Sequence, residues 1–238
     1  MKIVAYPYES LGHENHGWLD ARHHFSFAGY HNPDRVRFGL LRVINDDTVA
    51  AGAGFDTHPH QDMEIITYVR QGAITHEDSL GNKGVTTAGD VQVMSAGSGV
   101  AHSEYNREDV DTRLYQIWIF PNKRDVEPRW EAKQFPKTPV SDQLNVLVSG
   151  YDDDVSRGAL FIHQFAAIYG GRMSAGSTIK QPLRHQAYVL VSEGEVEIGD
   201  TPLKAGDGAE ITGCEALEIY ASVDAEVLVI DVPDRPLA

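Results

Sequence analysis

The chain has 238 residues, 42% hydrophobic and 23% charged, ordinary globular usage that excludes a disordered, collagen-like or coiled-coil protein and allows one large domain or two modest ones. Twenty Lys and Arg stand against 35 Asp and Glu, a formal charge of −15; a field of that sign repels phosphate backbones, so no nucleic-acid partner is expected. The single cysteine, Cys214, excludes an intramolecular disulfide and a thiolate metal cluster within one chain.

The N-terminal stretch MKIVAYPYESLGHENHG has one short apolar run, Ile3 to Tyr6, too short for a signal-peptide core. No segment has the length of a membrane span, so a cytoplasmic protein without membrane attachment is expected. His13, His16, His23, His24 and His31 follow among Trp18, Phe25, Phe27 and Tyr30. Their spacing matches no recurring ligand pattern and predicts packed aromatics with solvated histidines. Short β-branched and aromatic runs bounded by Gly, Asn, Asp or Pro then recur: GLLRVIND, EIITYVRQG, VTTAGDVQVMSAG and RLYQIWIFP. The proline- and charge-rich stretch from Pro121 to Asp142 reads as a connection between compact units. Beyond it come LNVLVSG, ALFIHQFAAIYGG, QAYVLVSEGEVEIGD and LEIYASVDAEVLVIDVP. Many short strands with few helix signals predict an all-β protein of antiparallel sandwiches or barrels.

The two halves look related. Gly72 matches Gly194 at an offset of 122 residues, and the Ala88-Gly89-Asp90 turn matches Ala205-Gly206-Asp207 at an offset of 117. A strand, a Gly turn, a second strand and an AGD turn, repeated at over one hundred residues, predict two tandem β-barrels over 1–138 and 139–238.

Eleven histidines are the compositional oddity, and nine lie at or before His102, which places the chemistry in the first half. In HPHQDME, strand alternation puts His58 and His60 on one face, with Asp62 and Glu64 sharing it if no bulge intervenes. Pro59 then belongs at a strand start or edge. After the turn SAGSGVA, the same alternation pairs His102 with Glu104. Two such pairs on neighbouring strands can converge as three imidazoles and a carboxylate, a donor set without thiolate that suits Fe, Ni, Mn, Cu, Co or Zn. Four ligands on a six-coordinate ion leave two positions for water, substrate or O2.

These residues carry a family resemblance. G-x5-H-x-H-x3-E-x7-G from Gly52 to Gly72 is the first cupin motif with one extra residue, and G-x2-H-x3-N from Gly99 to Asn106 is the end of the second. GWLDARHHFSFAGYHNP, HPHQDMEIITYVRQG, the DSLGN turn and SAGSGVAHSEYN resemble the bacterial pirin-like branch of the cupins, over nearly the whole chain. The resemblance implies a bicupin, two jelly-roll-type barrels, whose N-terminal barrel binds one divalent metal, usually iron as Fe(II), through His58, His60, His102 and Glu104. Glu64 is then not a ligand but a support, bonded to a ligand imidazole. Gln116 resembles a glutamine that faces the metal pocket. Under the offsets of 122 and 117 the ligands map to Lys180, Pro182, Ile219 and Ala221, so the C-terminal barrel is expected to lack metal ligands.

The implied activity is metal-dependent dioxygenation of a flavonol such as quercetin, with O2 consumed, carbon monoxide released and Glu104 taking the 3-hydroxyl proton. An alternative is a non-enzymatic metal-binding redox sensor or regulator with a protein partner, which no basic patch or binding motif here supports. Isomerisation of a sugar or keto acid is a third class that the fold alone does not separate.

Overall fold

A computed structural model describes residues 1–236. Among them only Tyr8–Ser10 and Asp152–Ser156 form helices, and the strands make four sheets, two of seven strands and two of four. One large sheet runs, in spatial order, Arg129–Lys133, Val91–Ser95, Glu64–Gln71, Thr112–Ile119, Leu41–Val49, Leu19–His23 and Gly12–Asn15. Its smaller companion orders Gly54–His60, Val100–Tyr105, Ala73–Asp78 and Lys83–Thr87. The second half repeats this plan: Gln186–Glu193 and Ala225–Val232 lie centrally in a seven-stranded sheet, and Thr178–Pro182 begins a four-stranded one. This is the all-β, two-barrel architecture that the strand pattern predicts.

The duplication is written in matching backbone bonds. Gly89 N–H donates to Val69 O at 2.8 Å and Gly206 N–H donates to Val191 O at 2.8 Å. Val69 N–H reaches Asp90 O and Val191 N–H reaches Asp207 O, both at 3.2 Å. Gly72 and Gly194 turn with φ of 74° and 75°, a left-handed conformation that a side chain would strain.

Register refines one mapping. His58 pairs with His102, whereas Ile219, the counterpart of His102, pairs with Ile179, and Lys180 pairs with Glu218. The interior positions of the second barrel are therefore Ile179 and Gln181 rather than Lys180 and Pro182, because a one-residue shift in pairing reverses the faces of a strand. Ile179, Ile219 and Ala221 are buried in its apolar core.

The large sheets press against each other through one core. Along Thr112–Ile119 the odd positions Tyr115, Ile117 and Ile119 join Ile66 and Tyr68 against Ile162, Tyr188, Leu228 and Ile230 of the other half. The even positions Gln116 and Trp118 face the first barrel's interior, where they line a cavity. The chain also crosses over: Lys2–Tyr6, within the segment 1–138, pairs with Gly208–Thr212 in the second half's sheet. Local pattern carries no information about which sheet edge a terminal strand will find.

Candidate metal centre

Strand Gly54–His60 is the edge of the smaller sheet, where the missing N–H of Pro59 breaks no ladder. A bulge shifts its register against Val100–Tyr105 between His58↔His102 and Phe55↔Glu104. Bulges re-aim side chains, and here the kink brings the Asp56 carbonyl within 2.7 Å of His58 Nδ1. A carbonyl only accepts, so Nδ1 carries the proton and Nε2 keeps its lone pair. Gly54 allows the close approach: a Cβ there would lie 2.3 Å from the Glu104 carbonyl oxygen.

His58, His60 and His102 converge, each offering a nitrogen within 4.8 Å of the others. Burial lowers His60 to about 4 and His102 to about 2, with neighbouring imidazoles pushing the same way. Both rings are thus neutral, with lone pairs available, at pH 7. Most tellingly, His102 Nε2 is buried and has no hydrogen-bond partner. A buried orphan nitrogen is costly, and an ion among these three rings would satisfy it.

Glu104 lies in an overlapping cluster with His102 and His76 and lines the same cavity as His58 and His60. One carboxylate oxygen accepts from Gln92 Nε2 at 2.6 Å and Thr67 Oγ1 at 3.2 Å, the other from Gln116 Nε2. Burial raises its pKa, with the Gln116 and Thr67 bonds in partial opposition. Trp118 Nε1–H donates to Gln116 Oε1 at 3.2 Å, which settles which end of the amide faces Glu104. Three histidine nitrogens and a tethered carboxylate are a donor set for a divalent first-row ion.

Glu64 departs from expectation. Asp62 adopts φ 47°, a left-handed turn that ends the histidine strand, so Glu64 begins a different strand in the large sheet. It shares the parity of Ile66 and Tyr68 in the inter-barrel core, opposite to Thr67, which bonds Glu104. Its partner is Ser95 Oγ at 2.8 Å, not a ligand imidazole. Burial pushes its carboxyl up to about 7, against the backbone of His163 and the charge of Arg129.

The N-terminal histidines divide. His13, His16 and His31 are exposed, but His23 and His24 are buried rather than solvated, because each finds an internal partner: Asn45 Oδ1 at 2.8 Å and Tyr188 Oη at 2.9 Å. Several site residues carry no sequence signal of their own: Thr67, Gln92, His76 and Asp47. Thr67 and Gln92 are cross-strand partners and so share a face, which the barrel closes onto Glu104. His58, His60, Glu104 and Gln116 open onto a cavity of about 650 Å3, walled by Trp18, Phe27, Phe55 and Trp118. Asp47 also lines it, with Oδ1 buried and unpartnered.

Comparison with known proteins gives the family. The model of the family described as Pirin matches residues 5–119, and that described as Quercetinase C-terminal cupin domain matches 146–232. A Pirin-like protein of Caulobacter vibrioides is 49% identical over 227 residues, 94% of this chain and 97% of the relative. The chain belongs to the pirin family. A protein of Escherichia coli named Quercetin 2,3-dioxygenase is 42% identical over 225 residues, 93% of this chain and 95% of its own. The crystal structure of bacterial pirin YhhW from Escherichia coli in complex with nickel(II) superposes with a TM-score of 0.90 at 40% identity, covering 98% of this chain and 99% of that one. The similarity to a nickel-bound pirin supports a divalent metal here. No helix among the described residues is long and apolar enough to cross a membrane.

Proposed function

We propose that this pirin is a metal-dependent dioxygenase that opens a flavonol such as quercetin with O2 and releases carbon monoxide, with Fe(II) held by His58, His60, His102 and Glu104. The observation that carries the reading is the orphaned His102 Nε2 beside two further imidazoles and a tethered carboxylate, at a cavity walled by aromatic rings. Relatives named quercetin 2,3-dioxygenase support the substrate class.

The bound ion would supply Lewis acidity and a place for O2 to react. The residues of the chain do the rest. Trp18, Phe27, Phe55 and Trp118 present apolar faces to a flat aromatic ligand and exclude water from it. Glu104, acceptor of three hydrogen bonds and part of the cavity lining, takes the proton of a substrate hydroxyl, and burial favours its protonated form once the proton has moved. Gln116, held by Trp118, keeps the carboxylate oriented for that transfer.

The test is to purify the protein, determine its metal, and follow quercetin loss and carbon monoxide release with and without O2. Consumption of one O2 per quercetin with carbon monoxide as product supports the reading; no carbon monoxide from fully iron- or nickel-loaded protein overturns it. Glu104→Gln, which cannot accept the proton, is expected to retain some metal and lower turnover about 100-fold or more. Unchanged turnover would remove the proton role.

A further inference from the structure

The DSLGN turn stands outside the ligand set, yet it is the far end of a chain of contacts that reaches His102. Asp78 Oδ1 accepts the backbone N–H groups of Leu80 at 2.9 Å and Asn82 at 3.0 Å, and Oδ2 accepts Asn82 Nδ2 at 2.9 Å. The same Oδ2 lies 3.1 Å from His76 Nε2, and His76 Nδ1 lies 3.3 Å from His102 Nδ1. His76 is fully buried, with the indole of Trp130 stacked flat on it at 4.9 Å and 9°. Gly84, the cross-strand partner of His76, makes room for the stack: a Cβ there would sit 2.3 Å from Trp130 Cη2.

We propose that Asp78 and His76 are positioning residues that fix the tautomer of His102, so that the Asp78–Asn82 turn belongs functionally to the metal centre. The inference rests on the metal site proposed above. Only one proton fits between two Nδ1 atoms facing each other at this distance, and the question is which ring owns it. Asp78, already an acceptor for three other donors, takes the Nε2–H of His76. In this arrangement His76 presents a lone pair at Nδ1, so His102 donates its Nδ1–H and keeps a lone pair at Nε2. That is the nitrogen left buried and unpartnered toward His58 and His60. His58 is set the same way by the Asp56 carbonyl, so two of the three imidazoles have their proton assigned by this chain before an ion arrives.

Asp78→Asn and Asp78→Ala separate this role from a structural one. In Asp78→Asn the side-chain oxygen is claimed by the Leu80 and Asn82 N–H groups, so an amide N–H faces His76. It reverses the tautomer of His76 and forces a proton onto His102 Nε2. Asp78→Ala breaks the turn but imposes no tautomer. Nickel(II) affinity, measured by chelator competition without any turnover, is expected to fall 10–100-fold in Asp78→Asn and less in Asp78→Ala, while thermal unfolding of the metal-free proteins ranks them oppositely, Asn above Ala. A merely structural Asp78 predicts one order for both measurements. Asp78→Asn binding nickel within twofold of wild type, or binding it better than Asp78→Ala, overturns the proposal. Wild-type protein that takes up no nickel, or His58→Ala and His60→Ala that bind it unchanged, overturns the metal site itself and the inference with it.

Discussion

Glu64→Gln separates two roles for the carboxyl that follows the histidine strand. Glu64 is buried beside Ser95 and pushed up to about 7 from an ordinary 4.5. Between those values the folded chain holds a proton that the unfolded chain has released. Stability therefore falls as pH rises through this window and is fully reduced once pH exceeds the folded value. A rise of 2.5 units corresponds to about 3 kcal/mol at 1.36 kcal/mol per unit. Gln keeps the size and an acceptor for Ser95 and removes the titration. The stability of Glu64→Gln relative to wild type, from urea unfolding in chelator, should accordingly improve by about 3 kcal/mol between pH 4.5 and pH 8. Nickel affinity should stay within about twofold, because the carboxyl faces the inter-barrel core. Parallel pH profiles for the two proteins, or a tenfold loss of nickel, would show that Glu64 is ionised and supports a ligand after all.

Gly54→Ala places a methyl 2.3 Å from the Glu104 carbonyl oxygen; the bulge must open, at a cost of about 1–3 kcal/mol in unfolding free energy, and nickel binding should weaken with it, as isothermal titration would record. Asp47→Asn removes a buried carboxylate whose Oδ1 has no partner and whose pKa burial holds well above its ordinary 3.8. It should raise stability by about 1–3 kcal/mol at pH 7, a gain that fades as pH falls toward 3.8 because the wild-type group is then protonated in both states; denaturation curves at pH 4 and pH 7 check it.

Much of the fold was legible because each barrel repeats local signals. Gly72 and Gly194 each need a left-handed turn, and the AGD turns close the same backbone bonds in both halves, so chemistry at single residues announces the duplication. What stayed hidden was pairing. Asp62 carries no mark that it will turn left-handed, and without that turn strand parity carries Glu64 onto the histidine face. Likewise, a one-residue slip separated Lys180 from Ile179, since two facing strands set their register by packing rather than by either sequence alone.

The candidate site divides along the same line. By itself the sequence singled out the proposed donors: alternation within one strand pairs His58 with His60 and His102 with Glu104, and the family resemblance sets Glu104 above Glu64. Only the tertiary structure decided what holds them: Asp56 under His58, Asp78 and His76 behind His102, and Gln92, Thr67 and Gln116 around Glu104. Those partners come largely from other strands and from a bulge, and hydrogen bonds between separated strands follow from register, which no single stretch of sequence contains.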